Sequence, residues 1–591
     1  MKVDIIIVTF NSEKWINRYF TSLEKCIEKL KKINVIVVDN ASTDDTLCLL
    51  NEHKKLNKTQ YNSFEIIHNA HNLGFGQANN IGFKAGDSEI VCFMNIDTEV
   101  LPGTFDRLEK EVNESEEEVG LWEFRQLPYE HPKAYDICTN YTSWSSGAAF
   151  AVRRKVYEQV GGFDPAIFMY GEDVDLSWRI RAQGYKLKYC PHIPIIHYAY
   201  EQGSQPKPTQ FIYSTIYNSL LRYRYGKVKD ILMGHIFAAV NIMRPKPCTY
   251  SRKQFVALYL KEMRHIPHFI KTRVKSSKEN DFKPSFIIMQ YEQMREGAFY
   301  YCELPLTQPL VSIIIRTCQR PEALKEAITS CLAQTYKNIE IIIVEDGENR
   351  SEEMITHAFK DERISYYATM EKVGRSKAGN IGMERAHGKY IGFLDDDDLY
   401  YADHVETLVK ALEDSDNQVA YGIAEESQII KLSRVPYKYE EKQRSVFYKQ
   451  SFNRTRLFYH NYIPIQCVLF ERSLFLTYGG LDEKLDALED WDLWVRYACH
   501  TDFTYIEKVT SIYRVPYQAD ESVARQEVLD AAMQAVRQKH YNYLVECSAG
   551  EIGEQIESIL ASYKILKLKK FGKNLKNKYP KLFKLVKKIK R

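Results

Sequence analysis

Tyr390-Ile391-Gly392-Phe393-Leu394 runs without a break into Asp395-Asp396-Asp397-Asp398, and 300 positions earlier Ile90-Val91-Cys92-Phe93 leads to Asn95-Ile96-Asp97. A short, continuous apolar run suits a parallel strand buried on both faces, and acids at its end sit where open α/β sheets bind ligands. An Asn-Ile-Gly triplet precedes each run: Asn80 lies 15 positions ahead of Asn95, and Asn380 lies 15 ahead of Asp395. A second acidic pattern repeats too, Glu172-Asp173-Val174-Asp175-Leu176 and Glu489-Asp490-Trp491-Asp492-Leu493. Each copy follows a Gly-Gly-apolar-Asp turn, at Gly161 to Asp164 and at Gly479 to Asp482. Two ordered copies of one pattern predict two domains in tandem.

Further apolar runs at 5–8 and 35–38 in the first half, and at 311–315 and 339–344 in the second, read as companion strands. Helical stretches alternate with them near 13–32, 43–56, 322–334 and 352–359, so the fold class is α/β: two open, doubly wound, mostly parallel sheets. A chain of 591 residues is also too long for a single core. The expected organisation is a domain at 1–235, a basic and aromatic helical linker at 236–305, a second domain at 306–540, and a basic helical tail at 541–591. The linker holds His265, His268, Lys271, Arg273 and Lys275 close together. The carboxyl-end rule nominates Thr9, Asn11, Asp39, Asn40, Asn95 and Asp97 in the first half. In the second it nominates Thr317, Arg320, Glu345, Asp346 and the run from Asp395 to Asp398.

With 45% apolar and 27% charged residues the composition is that of an ordinary globular protein. No apolar run reaches the ~18 residues needed to cross a bilayer, and the chain opens directly on a strand without a secretory leader pattern. The expectation is residence in the cytoplasm. Twelve cysteines lie scattered without Cys-x-x-Cys pairs, so neither zinc nor a disulfide framework is expected. Gly74-Phe75-Gly76 is a lone Gly-x-Gly after a later strand, which does not make a dinucleotide fingerprint. Nor is Thr9-Phe10-Asn11 or Thr317-Cys318-Gln319 the glycine-rich first loop that cradles a triphosphate.

A strand ending in Asp-x-Asp presents alternate carboxylates on one side of an extended turn, suited to a hard divalent cation shared with ligand oxygens. Nucleoside diphosphates as leaving groups need such neutralisation. An acidic surface turn is the plainer explanation, but it does not account for a second copy behind a second buried strand. The Glu-Asp pairs, Glu172-Asp173 and Glu489-Asp490, are candidates for a general base and an acceptor-orienting acid. Helix N-termini favour acids through the macrodipole alone, yet the shared Gly-Gly turn ahead of both copies goes beyond that.

On these motifs the chain resembles family 2 glycosyltransferases of the GT-A fold, twice, over 1–235 and 306–540. The resemblance implies that Thr9, Asp39 and Asn72 hold the nucleotide in the first domain, and Thr317, Asp346 and Arg375 in the second. It puts Asn95 with Asp97, and Asp395 with Asp397, in the Asp-x-Asp position, with Mn²⁺ or Mg²⁺ as cofactor and His197 beside the leaving phosphates. It makes Asp173 and Asp490 the bases of an inverting, single-displacement transfer. The Asn-x-Asp variant and Gly147-Ala148-Ala149-Phe150 are similar to bacterial transferases that use deoxythymidine diphosphate rhamnose. Tyr513-Arg514-Val515-Pro516-Tyr517 departs from the family pattern, which often places a His two residues after the Arg. The Gln-x-x-Arg-Trp motif of processive membrane synthases is missing from the sequence. The implied activity is bifunctional sugar transfer to a lipid-linked glycan in bacterial surface polysaccharide synthesis. One domain as a degenerate acceptor-holding module, or the whole chain as a glycan-binding scaffold, are the alternatives.

Residues 563–591 carry 13 Lys or Arg and no acid, which leaves the rest of the chain at about −10 against a total of +3. Leu568, Phe571 and Leu575, then Leu582, Leu585, Val586 and Ile589, recur at helical spacing around Pro580. The pattern predicts interfacial helices on an anionic membrane surface, placing the protein peripherally on the inner face of the cell membrane. Nucleic acid is not the expected partner, because an apolar stripe has no use on a phosphate backbone.

Overall fold

The computed structural model describes residues 1–26, 32–56, 60–130, 133–198, 207–243, 251–274, 282–297, 301, 303–485, 487–543, 548–550, 552–553, 556–557 and 560, the side chains of 519–524 excepted. Lys275 and the basic tail from 561 onward lie outside the described residues. The chain divides into two compact units, Met1–Leu304 and Pro305–Arg591.

In the first unit the strands are β1 (Val3–Thr9), β2 (Ile33–Asp39), β3 (Ser63–His68), β4 (Ile90–Met94), β5 (Thr98–Val100), β6 (Val119–Leu127), β7 (Tyr141–Thr142), β8 (Ala149–Arg153) and β9 (Lys186–His197). They form one sheet in the order β3-β2-β1-β4-β8-β6-β9-β5, with β7 against β9. Strands β3, β2, β1 and β4 are parallel, and β8 then enters antiparallel between β4 and β6. A two-stranded hairpin, β10 (Phe286–Ile287) and β11 (Gln290–Tyr291), completes the unit.

The second unit repeats this wiring. Its strands are β12 (Val311–Thr317), β13 (Ile339–Glu345), β14 (Ile364–Ala368), β15 (Tyr390–Asp395), β16 (Leu399–Tyr400), β17 (Val419–Arg434), β18 (Tyr437–Val446), β19 (Val468–Glu471) and β20 (Phe503–Pro516), in the order β14-β13-β12-β15-β19-β17-β20-β16 with β18 on β17. Position for position this is the order of the first sheet.

The continuous apolar strands have the expected physical basis. Ile5 and Ile7 enter one core while Ile6 enters another on the opposite face, and Ile313 and Ile315 are split from Ile314 in the same way. The Asn-Ile-Gly triplets serve packing. A Cβ on Gly82 would lie 2.6 Å from Ile6 Cγ2, and one on Gly382 would lie 2.4 Å from Ile314 Cγ2, so glycine lets each helix settle onto its sheet. Asn80 brackets Phe163 by accepting from its amide at 3.0 Å and donating to its carbonyl at 2.8 Å. Asn380 does the same to Leu481 at 2.8 and 3.0 Å. Both Gly-Gly turns are thereby clamped.

The stretch expected as linker contributes core. Phe255, Phe269 and Phe282 are buried with Trp144, Trp178 and Tyr217, so helices Pro208–Tyr225, Arg252–Met263 and Ile266–Lys271 belong to the first unit's packing. Within the basic cluster of that stretch, His268 Nε2 lies 2.8 Å from Asp164 Oδ2.

Candidate active sites

In the first unit, β1 and β2 end in register, Thr9 beside Asp39. Thr9 Oγ1 donates to Asp39 Oδ1 at 3.1 Å; Asp39 Oδ2 accepts from the Ser42 amide at 3.2 Å and lies 2.8 Å from His68 Nδ1. Asn11 sits at φ 48° and accepts from the Thr43 amide at 2.8 Å, tying the two strand-end loops together. Asn72 Oδ1 accepts from the Gly74 amide and from Asn40 Nδ2, each at 2.9 Å.

The corresponding register in the second unit pairs Thr317 with Glu345. Glu345, one residue before the expected Asp346, therefore occupies the place of Asp39. Its Oε1 accepts from the Gln319 amide at 3.0 Å and its Oε2 from the Tyr366 hydroxyl at 2.7 Å. Asp346 stands where Asn40 stands and spends its carboxylate on the amides of Val373 (2.6 Å) and Gly374 (3.1 Å). Asp346 thereby shapes the loop, and Glu345 is the residue in register with Thr317. Arg375 follows Gly374 as Phe75 follows Gly74, so Arg375 and Asn72 are not equivalent positions.

At the end of β4 the Asn95 Oδ1 atom is buried without a hydrogen-bond partner among the described residues. The antiparallel pairing of β5 with β9 sets Thr98 against His197, which brings His197 Nε2 to 3.5 Å from Asp97 Oδ1. Gln126 Oε1 lies 2.7 Å from His197 Nδ1 and orients the ring. Burial alone would raise the Asp97 carboxyl, but the His197 bond and charge hold it below its ordinary value. No group of three or more His, Cys, Asp or Glu converges as a metal cage among the described residues. Asp97, His197 and the orphaned Asn95 oxygen are donors of the chemistry that would hold a Mn²⁺ or Mg²⁺ ion.

The second unit handles its acids differently. Arg316 donates to Asp395 Oδ1 through Nη2 at 2.7 Å and to Glu489 Oε1 through Nη1 at 2.8 Å. Arg320 donates to Asp396 Oδ2 at 3.0 Å and Asp397 Oδ2 at 2.7 Å, and Thr317 Oγ1 donates to Asp396 at 2.7 Å. Burial would raise Asp395, yet Arg316 and Arg375 hold it down; burial pushes Asp396 up to about 7. Asp398 turns inward and accepts from the Arg514 amide at 3.0 Å. The β16–β20 register places Tyr513 where the first unit has His197. Asp395 and Asp397 fit a cation less well, because guanidinium groups already supply positive charge and the imidazole is missing.

The Glu-Asp pairs open helices Glu172–Ala182 and Glu489–Ala498. Asp173 Oδ2 accepts from the Gly147 amide at 3.0 Å while Asn95 donates its amide to the Ala148 carbonyl at 2.8 Å, so one short segment brackets the strand-end site and the pair. Burial pushes Glu172 up to about 8, the neighbouring Asp173 adding to it, and burial raises Asp173 as well. In the second unit Asn461 Nδ2 donates to Asp490 Oδ2 at 3.2 Å, and burial with Glu489 alongside pushes Asp490 up to about 7. Tyr291, from the hairpin in the expected linker, has a buried hydroxyl raised by burial and by the nearby Asp173 and Glu172 charges.

The third acids of these motifs are structural. Asp175 pairs with Arg179 at 2.8 Å, and Arg224 bridges Asp175 to Asp164. Asp492 pairs with Arg496 at 3.0 Å, and Lys539 bridges it to Asp482 at 2.7 and 2.6 Å.

Two copies of one α/β sheet, each with strand-end polar residues and a buried Glu-Asp helix start, define a two-domain protein of the nucleotide-sugar type. The family model described as "Glycosyl transferase family 2" matches residues 4–175 and 312–478, and the chain belongs to that family. It is 35% identical over 189 residues to an uncharacterized glycosyltransferase of Rickettsia typhi, covering 32% of this chain and 58% of that one. It is 32% identical over 221 residues to an uncharacterized glycosyltransferase of Methanocaldococcus jannaschii, covering 36% of this chain and 72% of that one. The chain thus spans little more than half the length of the rickettsial relative. Among solved structures it is similar to a mannosyltransferase from Pyrobaculum calidifontis in complex with GDP-Man and Mn²⁺, at 18% identity, 46% of this chain, 72% of that chain and a TM-score of 0.31. It is also similar to S. aureus TarS 1-349, at 16% identity, 46% and 83% coverage and a TM-score of 0.32.

Proposed function

We propose that both domains are catalytic and transfer sugars from nucleoside-diphosphate donors, with inversion and in a single displacement, to a lipid-linked glycan. The observation that carries this is the meeting, in each domain, of strand-end polar residues with a buried Glu-Asp pair. Arg316 spans them directly in the second domain, and residues 147–148 bracket them in the first.

Asp173 and Asp490 act as bases. Each carboxylate is fixed by backbone amides on its own helix start, and burial makes each more basic than an exposed aspartate, which suits removal of a hydroxyl proton near neutral pH. Glu172 and Glu489 orient the acceptor. Thr9, Asn11, Asp39 and Asn72 hold the first nucleotide, and Thr317, Arg320, Glu345 and Arg375 the second. A bound Mn²⁺ or Mg²⁺ supplies charge neutralisation of the leaving diphosphate. Asp97 and His197 would hold it in the first domain, with Asn95 alongside; Asp395 and Asp397 are the candidates in the second. Asn95-x-Asp97 and Gly147 to Phe150 favour deoxythymidine diphosphate rhamnose as the first donor.

One observation favours a second reading for the second domain. With Arg316 and Arg320 on its acids, that domain is also suited to holding acceptor without transferring sugar.

The test offers the full chain a panel of nucleotide sugars with a lipid-linked acceptor, and follows both thermal stabilisation and release of nucleoside diphosphate. Two donors should each stabilise the chain and be consumed. If no donor does either, the assignment of these sites to sugar transfer is lost.

A further inference from the structure

The helix Val228–Met243 in the first domain is built inside out. Its inward side carries Gly234, Ala238 and Asn241, whose Nδ2 donates to Thr215 Oγ1 at 3.1 Å. His235 is held between the hydroxyls of Tyr223 and Tyr259, at 2.6 Å from each. Its outward side carries Val228, Leu232, Met233, Ile236, Val240 and Met243, between 38% and 83% exposed. Their spacing puts them along one side of the helix, so the stripe is continuous. A surface helix of a water-facing domain has the opposite arrangement, and an exposed apolar stripe of this length marks a contact surface.

Cations frame the stripe at both ends. Lys227 and Lys229 stand at its start, where Arg273 donates to the Tyr223 carbonyl at 3.0 Å and to the Gly226 carbonyl. At its end Arg252 donates to the Met243 carbonyl at 3.2 Å, with Lys253 next to it. Residues 227–275 contain 11 Lys or Arg and two acids. Those two acids are engaged locally: Asp230 accepts from the Lys227 amide at 2.8 Å, and buried Glu262 accepts from the Tyr217 hydroxyl at 3.0 Å.

We propose that this face of the first domain docks on an anionic lipid surface. The helix lies in the plane of the interface, its stripe at the acyl boundary and its framing cations on the headgroups. Charge complementarity selects this occupant: a second copy of the chain would bring the same cationic frame against itself, whereas anionic headgroups neutralise it. Sixteen residues reach about 24 Å, short of the ~30 Å hydrocarbon core, so the helix rests on the membrane. Among the described residues no helix is long and apolar enough to cross one. The surface is distinct in sequence from the basic tail, and it stands whether or not the acceptor is lipid-linked.

The test is hydrogen exchange on the full chain with vesicles of phosphatidylglycerol in phosphatidylcholine, or of phosphatidylcholine alone. Amides of 232–243 should exchange more slowly with the anionic vesicles only. Leu232→Glu/Ile236→Glu/Val240→Glu should abolish that slowing and weaken vesicle partitioning by at least about fivefold, even with the tail present. The milder Ile236→Ser/Val240→Ser, with an unchanged melting temperature, should weaken it in the same direction. Unchanged exchange of 232–243 while the chain sediments with the vesicles would overturn the proposal, because the tail would then dock alone. So would slowing that grows with protein concentration in the absence of lipid, which would make the occupant a second copy, or slowing that persists in the triple Glu variant.

Discussion

Val8 and Arg316 occupy the same strand position in the two sheets, next to Thr9 and Thr317. That one difference propagates. Where Val8 stands, the strand-end residue is the neutral Asn95 and Glu172 is buried without a cation partner among the described residues; where Arg316 stands, both Asp395 and Glu489 are ion-paired. Gly379 replaces Asn79, and a Cβ there would lie 3.4 Å from Arg316 Cδ and 2.6 Å from Leu481 Cδ1, so the glycine makes room for them. Arg316→Met strands the buried Glu489 and the part-buried Asp395 and should cost roughly 3–5 kcal/mol, read as a lower denaturation midpoint for the second domain. The pH dependence follows from Asp490, which must be ionised to accept a proton and whose carboxyl is pushed up to about 7. Its protonated form dominates below that value, so kcat/KM for the second domain's transfer should rise with pH across about 7 and level off above it. A flat profile from pH 5 to 8 would remove Asp490 from the role of base.

Helix placement rests on residues outside the nominated sites. Asn80 and Asn380 each hold both backbone groups of the residue after a Gly-Gly turn, so Asn80→Ala or Asn380→Ala leaves buried polar groups unpaired. The expected cost is about 1–3 kcal/mol each, measured by denaturant titration. Arg224→Ala should cost more, roughly 3–5 kcal/mol, because Asp164 and Asp175 are both buried around it. Much of this was legible in the sequence, and what was not has definite physical reasons. Strands read clearly because each apolar residue enters one of two cores. The strand-end acids read clearly because they are contiguous with those strands. Glu345 and Asp346 are neighbours of like charge, and only the β12–β13 register shows that Glu345 matches Asp39. Arg316 lies inside an apolar strand with its partners 79 and 173 positions away, and Arg224 lies 49 from Asp175, separations that carry no local pattern.

Across the whole chain, one strand order occurs twice with one arrangement of buried acids, while the residues around the expected diphosphate differ. Chelation should therefore act unequally. On the proposal that Asp97 and His197 hold a cation in the first domain, EDTA should abolish nucleoside-diphosphate binding there and weaken that of the second far less, since Arg316, Arg320 and Arg375 remain; calorimetry with each donor's diphosphate reads this directly. Truncation after Ser562 should lower sedimentation with anionic vesicles while leaving transfer to a water-soluble acceptor analogue intact. The central claim is that the chain holds two separate transfer sites, and product analysis of Asp173→Asn and Asp490→Asn on the same acceptor tests it most directly. Each variant should lose a different sugar addition, its rate falling by about 10²–10⁴-fold, and keep the other wherever its acceptor is supplied. If one variant retains both additions at the unmodified rate, that domain is not a transferase and the account of two active sites fails.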